Sequence, residues 1–109
     1  MLEITKEEVL QELGNYITTS NMKTSSGASA SNQFEVFYEN ARVFQSYSSL
    51  IAIKFKGKAS EKFKGKVVIC SDYKYSKTTS KYRCAFLGEK IKDTDKKIEN
   101  ETYLYCSEL

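Results

Sequence analysis

The chain reads as an α+β domain: a mainly antiparallel sheet of about four to five strands, with an N-terminal helix and one or two short helices in the C-terminal half packed on one face. Three observations predict this. Thr5-Lys6-Glu7-Glu8 is a capping box followed by apolar residues at helical spacing. From Gln33 onward the apolar period changes to two. A hydroxyl-rich stretch, Tyr75 to Ser80, then leads into a short apolar face that stops at Gly88.

The first helix is expected over about 5–18. Val9, Leu10, Leu13, Tyr16 and Ile17 share one face, and the acids Glu7, Glu8 and Glu12 point outward. Residues 18–32 are small and polar, without apolar period, and read as a flexible Ser/Thr-rich loop. Strands follow at Phe34–Tyr38, Arg42–Tyr47 and Ser48–Phe55, with a turn at Glu39–Arg42. Lys54-Phe55-Lys56-Gly57-Lys58 recurs as Lys62-Phe63-Lys64-Gly65-Lys66, so 54–66 reads as a basic hairpin connection into a strand at Lys66–Ser71. A short helix precedes Gly88, a further turn or two is expected over Asp93–Asn100, and Thr102–Cys106 closes the chain as a strand.

A chain of 109 residues makes a single domain, and 40% hydrophobic residues with 13% aromatics can furnish its core. The sequence holds no His, which removes imidazole bases, Ser–His and Cys–His nucleophile pairs and imidazole metal sites. No apolar run reaches the ~18–20 residues of a membrane span. The acidic N-terminus has no apolar core of a signal peptide, and a cytoplasmic setting is expected. Cys70, Cys84 and Cys106 form no metal-ligand spacing, so neither metal nor cofactor is expected. Cys70 reads as a small core residue; Cys84, after Lys81 and Arg83, reads either as inert or as a thiol of lowered pKa.

Charge is segregated. Residues 1–40 hold two lysines against six acids, residues 41–92 thirteen Lys/Arg against three acids, and residues 93–109 two lysines against five acids. The basic centre points to a polyanionic or acidic partner; solvated lysines at hairpin tips and sheet edges are the alternative.

Two segments carry that charge. In the first, Lys54, Lys56, Lys58, Lys62, Lys64 and Lys66 would meet phosphates while Phe63 stacks on a base; alternatively Phe55 and Phe63 point inward. In the second, Tyr75, Lys77, Thr78, Thr79, Lys81, Tyr82 and Arg83 gather at a helix N-terminus, where free amides favour anions and Arg83 could grip a phosphate with both arms. Ser76, Thr78 and Thr79 read equally as helix caps. Glu35 with Glu39, and Asp93 with Asp95, are the nominal carboxylates for a metal-dependent nuclease, and no converging set is visible. Tyr103 and Tyr105 read either as core or as the edge of a homodimer.

Phe44-Gln45-Ser46-Tyr47, then Leu50-Ile51-Ala52, then Tyr75-Ser76-Lys77-Thr78-Thr79-Ser80-Lys81-Tyr82-Arg83 and Phe86-Leu87-Gly88, resemble a family of small uncharacterised proteins of phages and other mobile elements. The shared pattern, F-x-S-Y, I-A, then Y-S-x-T-T-x-K-Y-x-x-x-F-L, spans about residues 33–90. The family usually joins its I-A strand to the next by a short connection, so the duplicated Lys-Phe-Lys-Gly-Lys segment is an addition here. The resemblance implies a phage-type origin and assigns no activity or catalytic residue. With a small chain and no catalytic set, it suggests a non-enzymatic inhibitor of a host defence nucleoprotein complex, similar to anti-CRISPR proteins. The alternative is a stand-alone, sequence-tolerant nucleic-acid-binding accessory protein, with DNA or RNA as its target. A nuclease is the third reading.

Overall fold

The computed structural model describes all 109 residues. Strand β1 (Leu2–Glu3) precedes helix α1 (Lys6–Glu12), and strands β2 (Tyr16–Lys23), β3 (Ser29–Tyr38), β4 (Ala41–Ser46), β5 (Ser49–Phe55) and β6 (Val67–Cys70) follow. Helices α2 (Lys77–Leu87) and α3 (Ile91–Glu99) come before the last strand, β7 (Leu104–Cys106). The seven strands form one sheet in the order β1-β7-β6-β5-β4-β3-β2. The run from β2 to β6 is antiparallel, whereas β7 lies parallel to both β6 and β1. The class is α+β as expected; the sheet is mixed and has more strands than the four to five expected.

Period two in the central strands sorts their residues onto two faces. Val43, Ile53 and Val68 join Val9 of α1 and Leu13 just after it in one core. Phe44, Ala52 and Ile69 join Tyr82 and Phe86 of α2 and Ile98 of α3 in another. The helices therefore cover both faces, not one: α1 packs on the first and α2 with α3 on the second. A bulge sets Ile51 apart. Phe44 pairs with Ala52 and Gln45 with Leu50, so Ile51 is the extra residue and shares the second face with Ala52.

Thr5 caps α1 and exchanges bonds with Glu8, as the capping box predicts. The helix ends at Glu12, short of residue 18. Gly14 takes φ +77, and a Cβ there would stand 2.9 Å from the Asn40 side chain. Asn40 closes the helix end, donating its side-chain amide to Glu12 O at 3.0 Å and its backbone amide to Leu13 O at 3.0 Å. Tyr16 and Ile17 consequently enter β2, where the Tyr16 ring meets that of Tyr38 edge-on at 6.0 Å.

The expected loop at 18–32 is instead most of a hairpin. β2 and β3 pair across a turn at Thr24–Gly27, with Gly27 at φ +87. Ile17, Thr18 and Thr19 are β-branched and suit an extended edge strand, and partner β3 supplies the apolar face they lack.

α2 has the boundaries its sequence announces, with one more turn at the front. Ser76 Oγ accepts the Thr79 amide at 3.1 Å, and Gly88 ends the helix in the left-handed region at φ +70. α3 begins where Asp93 accepts the Lys90 amide at 3.0 Å. No helix is long and apolar enough to cross a membrane.

Candidate functional site

α2 packs over β4 and β5. Thr79 meets Ser46 at one end, and Phe86 meets Lys54 at the other. The 56–66 connection leaves β5 at the Phe55 end, whereas the N-terminus of α2 lies by the β4–β5 turn. A seven-residue strand spans roughly 20 Å. Residues 56–66 and the N-terminus of α2 thus stand at opposite ends of the sheet and pack against opposite faces, while Lys54 reaches the far, C-terminal end of α2.

The basic connection is tied to α1. Phe55 and Phe63 are both buried, with ring centroids 4.8 Å apart, so Phe63 belongs to the core and is not offered to a base. Lys62 pairs with Glu8, which holds the Glu8 carboxyl below its usual range. Ser60 donates its amide to Glu12, and Lys56 donates to Tyr38 O at 3.2 Å. Lys54 is half-buried over the Phe86 ring at 4.4 Å and donates to Phe86 O at 2.7 Å, in the last turn of α2. Burial, then the nearby Arg42 charge, lowers its pKa. Lys58, Lys64 and Lys66 remain exposed on this loop.

The N-terminal end of α2 divides its residues sharply. Tyr82 is core, and Arg83 is fully buried. The Arg83 guanidinium donates to Tyr73 O, to Ser80 Oγ at 3.5 Å and to Ile91 O at 3.4 Å, and lies over the Tyr73 ring at 5.2 Å. It ties α2 to the loops on either side and is not the phosphate grip that its position suggested. Thr79 is also fully buried, with its hydroxyl 2.9 Å from Ser46 Oγ and 3.1 Å from Ser76 Oγ. Tyr75, Lys77, Thr78 and Lys81 stay exposed. Lys74, beside them, pairs with Asp95 at 2.9 Å. The Tyr73 hydroxyl and Lys74 hold the Asp95 carboxyl below its usual range.

Two depressions flank this first turn of α2. One is a cleft of about 220 Å³ lined by Ser46, Tyr47, Ser48, Ser49, Tyr75 and Thr79, with Ile51 beneath. The other is open and lined by Lys74, Ser76, Lys77, Ser80, Lys81 and Ile91. Tyr47 was absent from the expected site residues. Its signal lay in the F-x-S-Y motif, which meets the Y-S-x-T-T motif in space through Ser46 and Thr79.

The nominal carboxylates lie apart. Glu35 pairs with Arg42, Glu39 accepts the Asn15 amide at 2.8 Å, and Asp93 caps α3. No group of three or more His, Cys, Asp or Glu is placed to hold a metal ion. Cys70 and Cys106 are buried register partners, and Cys84 is half-exposed. Tyr103 is core, with its hydroxyl on Glu89, while Tyr105 is half-buried.

Residues 12–102 match a family of unknown function, DUF8033. No curated protein and no solved structure matches the chain.

Proposed function

The chain belongs to that family of unknown function, DUF8033, and we propose from its own geometry that it is a non-enzymatic binding domain for single-stranded nucleic acid. One observation carries the reading: Tyr47 and Tyr75, both exposed, border one cleft, and Lys77 and Lys81 border the depression on the other side of the same helical turn. Exposed aromatics beside lysines suit a flexible strand whose unpaired bases can stack while its phosphates meet cations. Lysine contacts of this kind are sequence-tolerant and weaken as salt rises. Made inside a host defence nucleoprotein complex, the same contact makes the domain an inhibitor. Small size, a phage-type origin and the lack of a catalytic set together favour that role.

Binding of labelled single-stranded DNA and RNA across a salt series tests the reading. Lys77→Glu with Lys81→Glu is expected to weaken binding at least tenfold and to flatten its salt dependence. Lys58→Glu with Lys64→Glu, at the far end of the sheet, is expected to change it little. The reverse ranking would move the interface to the basic connection, and no binding by the unaltered protein would overturn the proposal. Affinity purification from host cells, with half the sample treated with nuclease, separates the settings. A protein partner that survives nuclease would favour direct docking on an effector over contact through its nucleic acid.

A further inference from the structure

The cleft beside the β4–β5 turn has features that the stability of the fold does not call for. Tyr47 and Ser48 form the two-residue loop between the paired Ser46 and Ser49, and Tyr47 holds φ +55. Glycine is favoured there, because a left-handed backbone crowds any Cβ. The Tyr47 ring is 52% exposed and contributes no core packing that would offset the strain. Tyr75, which lines the same cleft, is 72% exposed.

The floor is polar. Ser76, Thr79 and Ser46 form a chain of three hydroxyls joined by two hydrogen bonds, so one of their three protons has no acceptor within it. Gln33, directly across the β3–β4 ladder from Ser46, is fully buried, and its Oε1 accepts no hydrogen bond. The spare proton belongs to Ser46 or Thr79, both of which line the cleft; Gln33 neighbours Ser46 but is not part of the lining. At about 220 Å³ the space is smaller than the ~300–1,000 Å³ of pockets that hold whole drug-sized ligands, and it suits one ring system.

We infer that this cleft is a nucleobase slot: a single unstacked base enters between Tyr47 and Tyr75, with its polar edge toward the Ser46 and Thr79 hydroxyls. A base is planar, stacks on an aromatic ring and carries donors and acceptors together on its edge. The phosphates of the same strand lie over Lys77 and Lys81. The inference rests on the nucleic-acid reading above and adds that the protein holds bases as well as phosphates.

The test compares an oligothymidine of about 12 nucleotides, within the usual site sizes of single-strand binders, with an abasic strand of equal length. Both are titrated against the unaltered protein, Tyr75→Ala and Tyr47→Gly, with thermal melts of each. The unaltered protein is expected to bind the base-bearing strand about tenfold more tightly, in line with the loss of one stacked base. Each variant is expected to erase that difference, keep its affinity for the abasic strand and melt no lower than the unaltered protein. Equal affinity of the unaltered protein for both strands would overturn the slot while leaving the lysine surface standing. A preference for bases that survives in both variants would also overturn it. No binding of either strand would overturn the slot and the nucleic-acid reading together.

Discussion

Ser46 Oγ and Thr79 Oγ1 lie 2.9 Å apart at the base of a cleft, and they join the β4 end to the first turn of α2. Both residues are buried at the base of the cleft, so removing either hydroxyl leaves its partner short of a bond. Thr79→Val is isosteric but strands Ser46 and Ser76, and should cost about 1–3 kcal/mol, the penalty of an unsatisfied buried polar group. Ser46→Ala should cost about the same, and the double variant less than the sum, because each change removes the same bond. Urea unfolding of the three variants measures this. Additive losses would mean that the two hydroxyls act independently.

Tyr47→Gly should leave the melting temperature unchanged or raise it, although it deletes an aromatic ring. Glycine removes the strain at φ +55, which is about 1–2 kcal/mol for a residue with a Cβ. It returns about 0.5–1 kcal/mol through greater freedom of the unfolded chain. A substantial fall in melting temperature would show that the ring packs against the fold after all.

Arg83→Ala should be among the most damaging single changes, at roughly 2–4 kcal/mol, through a cavity and the loss of charge-assisted bonds. Arg83→Lys should recover only part, because an ammonium cannot reach the carbonyls of Tyr73 and Ile91 in one planar fork. Denaturant midpoints distinguish this role from that of a ligand-contact residue, which would lose binding and keep its midpoint.

Stability should fall on the alkaline side. Burial raises the pKa of Cys70, Cys106, Tyr73, Tyr103 and Tyr105, so the folded state holds protons that the unfolded state releases first. Their contribution is complete below the ordinary thiol and phenol values of 9.0 and 10.0 and is lost as pH climbs from there toward the raised ones. Cys70, fully buried, can take away up to ~1.4 kcal/mol per pH unit in that window, and the groups nearer solvent take away less. Asp95 and Glu8 work in the opposite sense: their lowered pKa values add stability that is present at neutral pH and lost as pH falls through the carboxylate range. Urea midpoints from pH 3 to pH 11 should trace both flanks, and a flat alkaline limb would contradict the burial of these groups.

Thiol labelling should be ordered. Cys84 is half-exposed and should react first in the native protein, whereas Cys70 and Cys106 should wait for unfolding. Three equal native rates would show that β6 and β7 open readily.

Local chemistry determined what needs only neighbours in the chain. Thr5 and Glu8 start α1, Ser76 and Gly88 bound α2, and alternation at Val43–Phe44 and Ile53–Phe55 makes strands, because caps and side-chain periods are short-range. Tertiary structure decided what depends on distant partners. Tyr16 and Ile17 have helical spacing, yet Gly14 closes against Asn40 and β3 recruits them as a strand. Residues 18–32 have no apolar period because the edge strand they help to form has little face to bury. The basic centre, continuous in sequence, is split between two ends of a sheet because β5 separates its halves. Phe63 and Arg83, expected from the basic segments around them to bind, are drawn inward by Phe55 and by the carbonyls of Tyr73 and Ile91. The cleft itself exists only because Ser46 and Thr79, 33 residues apart, meet across the sheet.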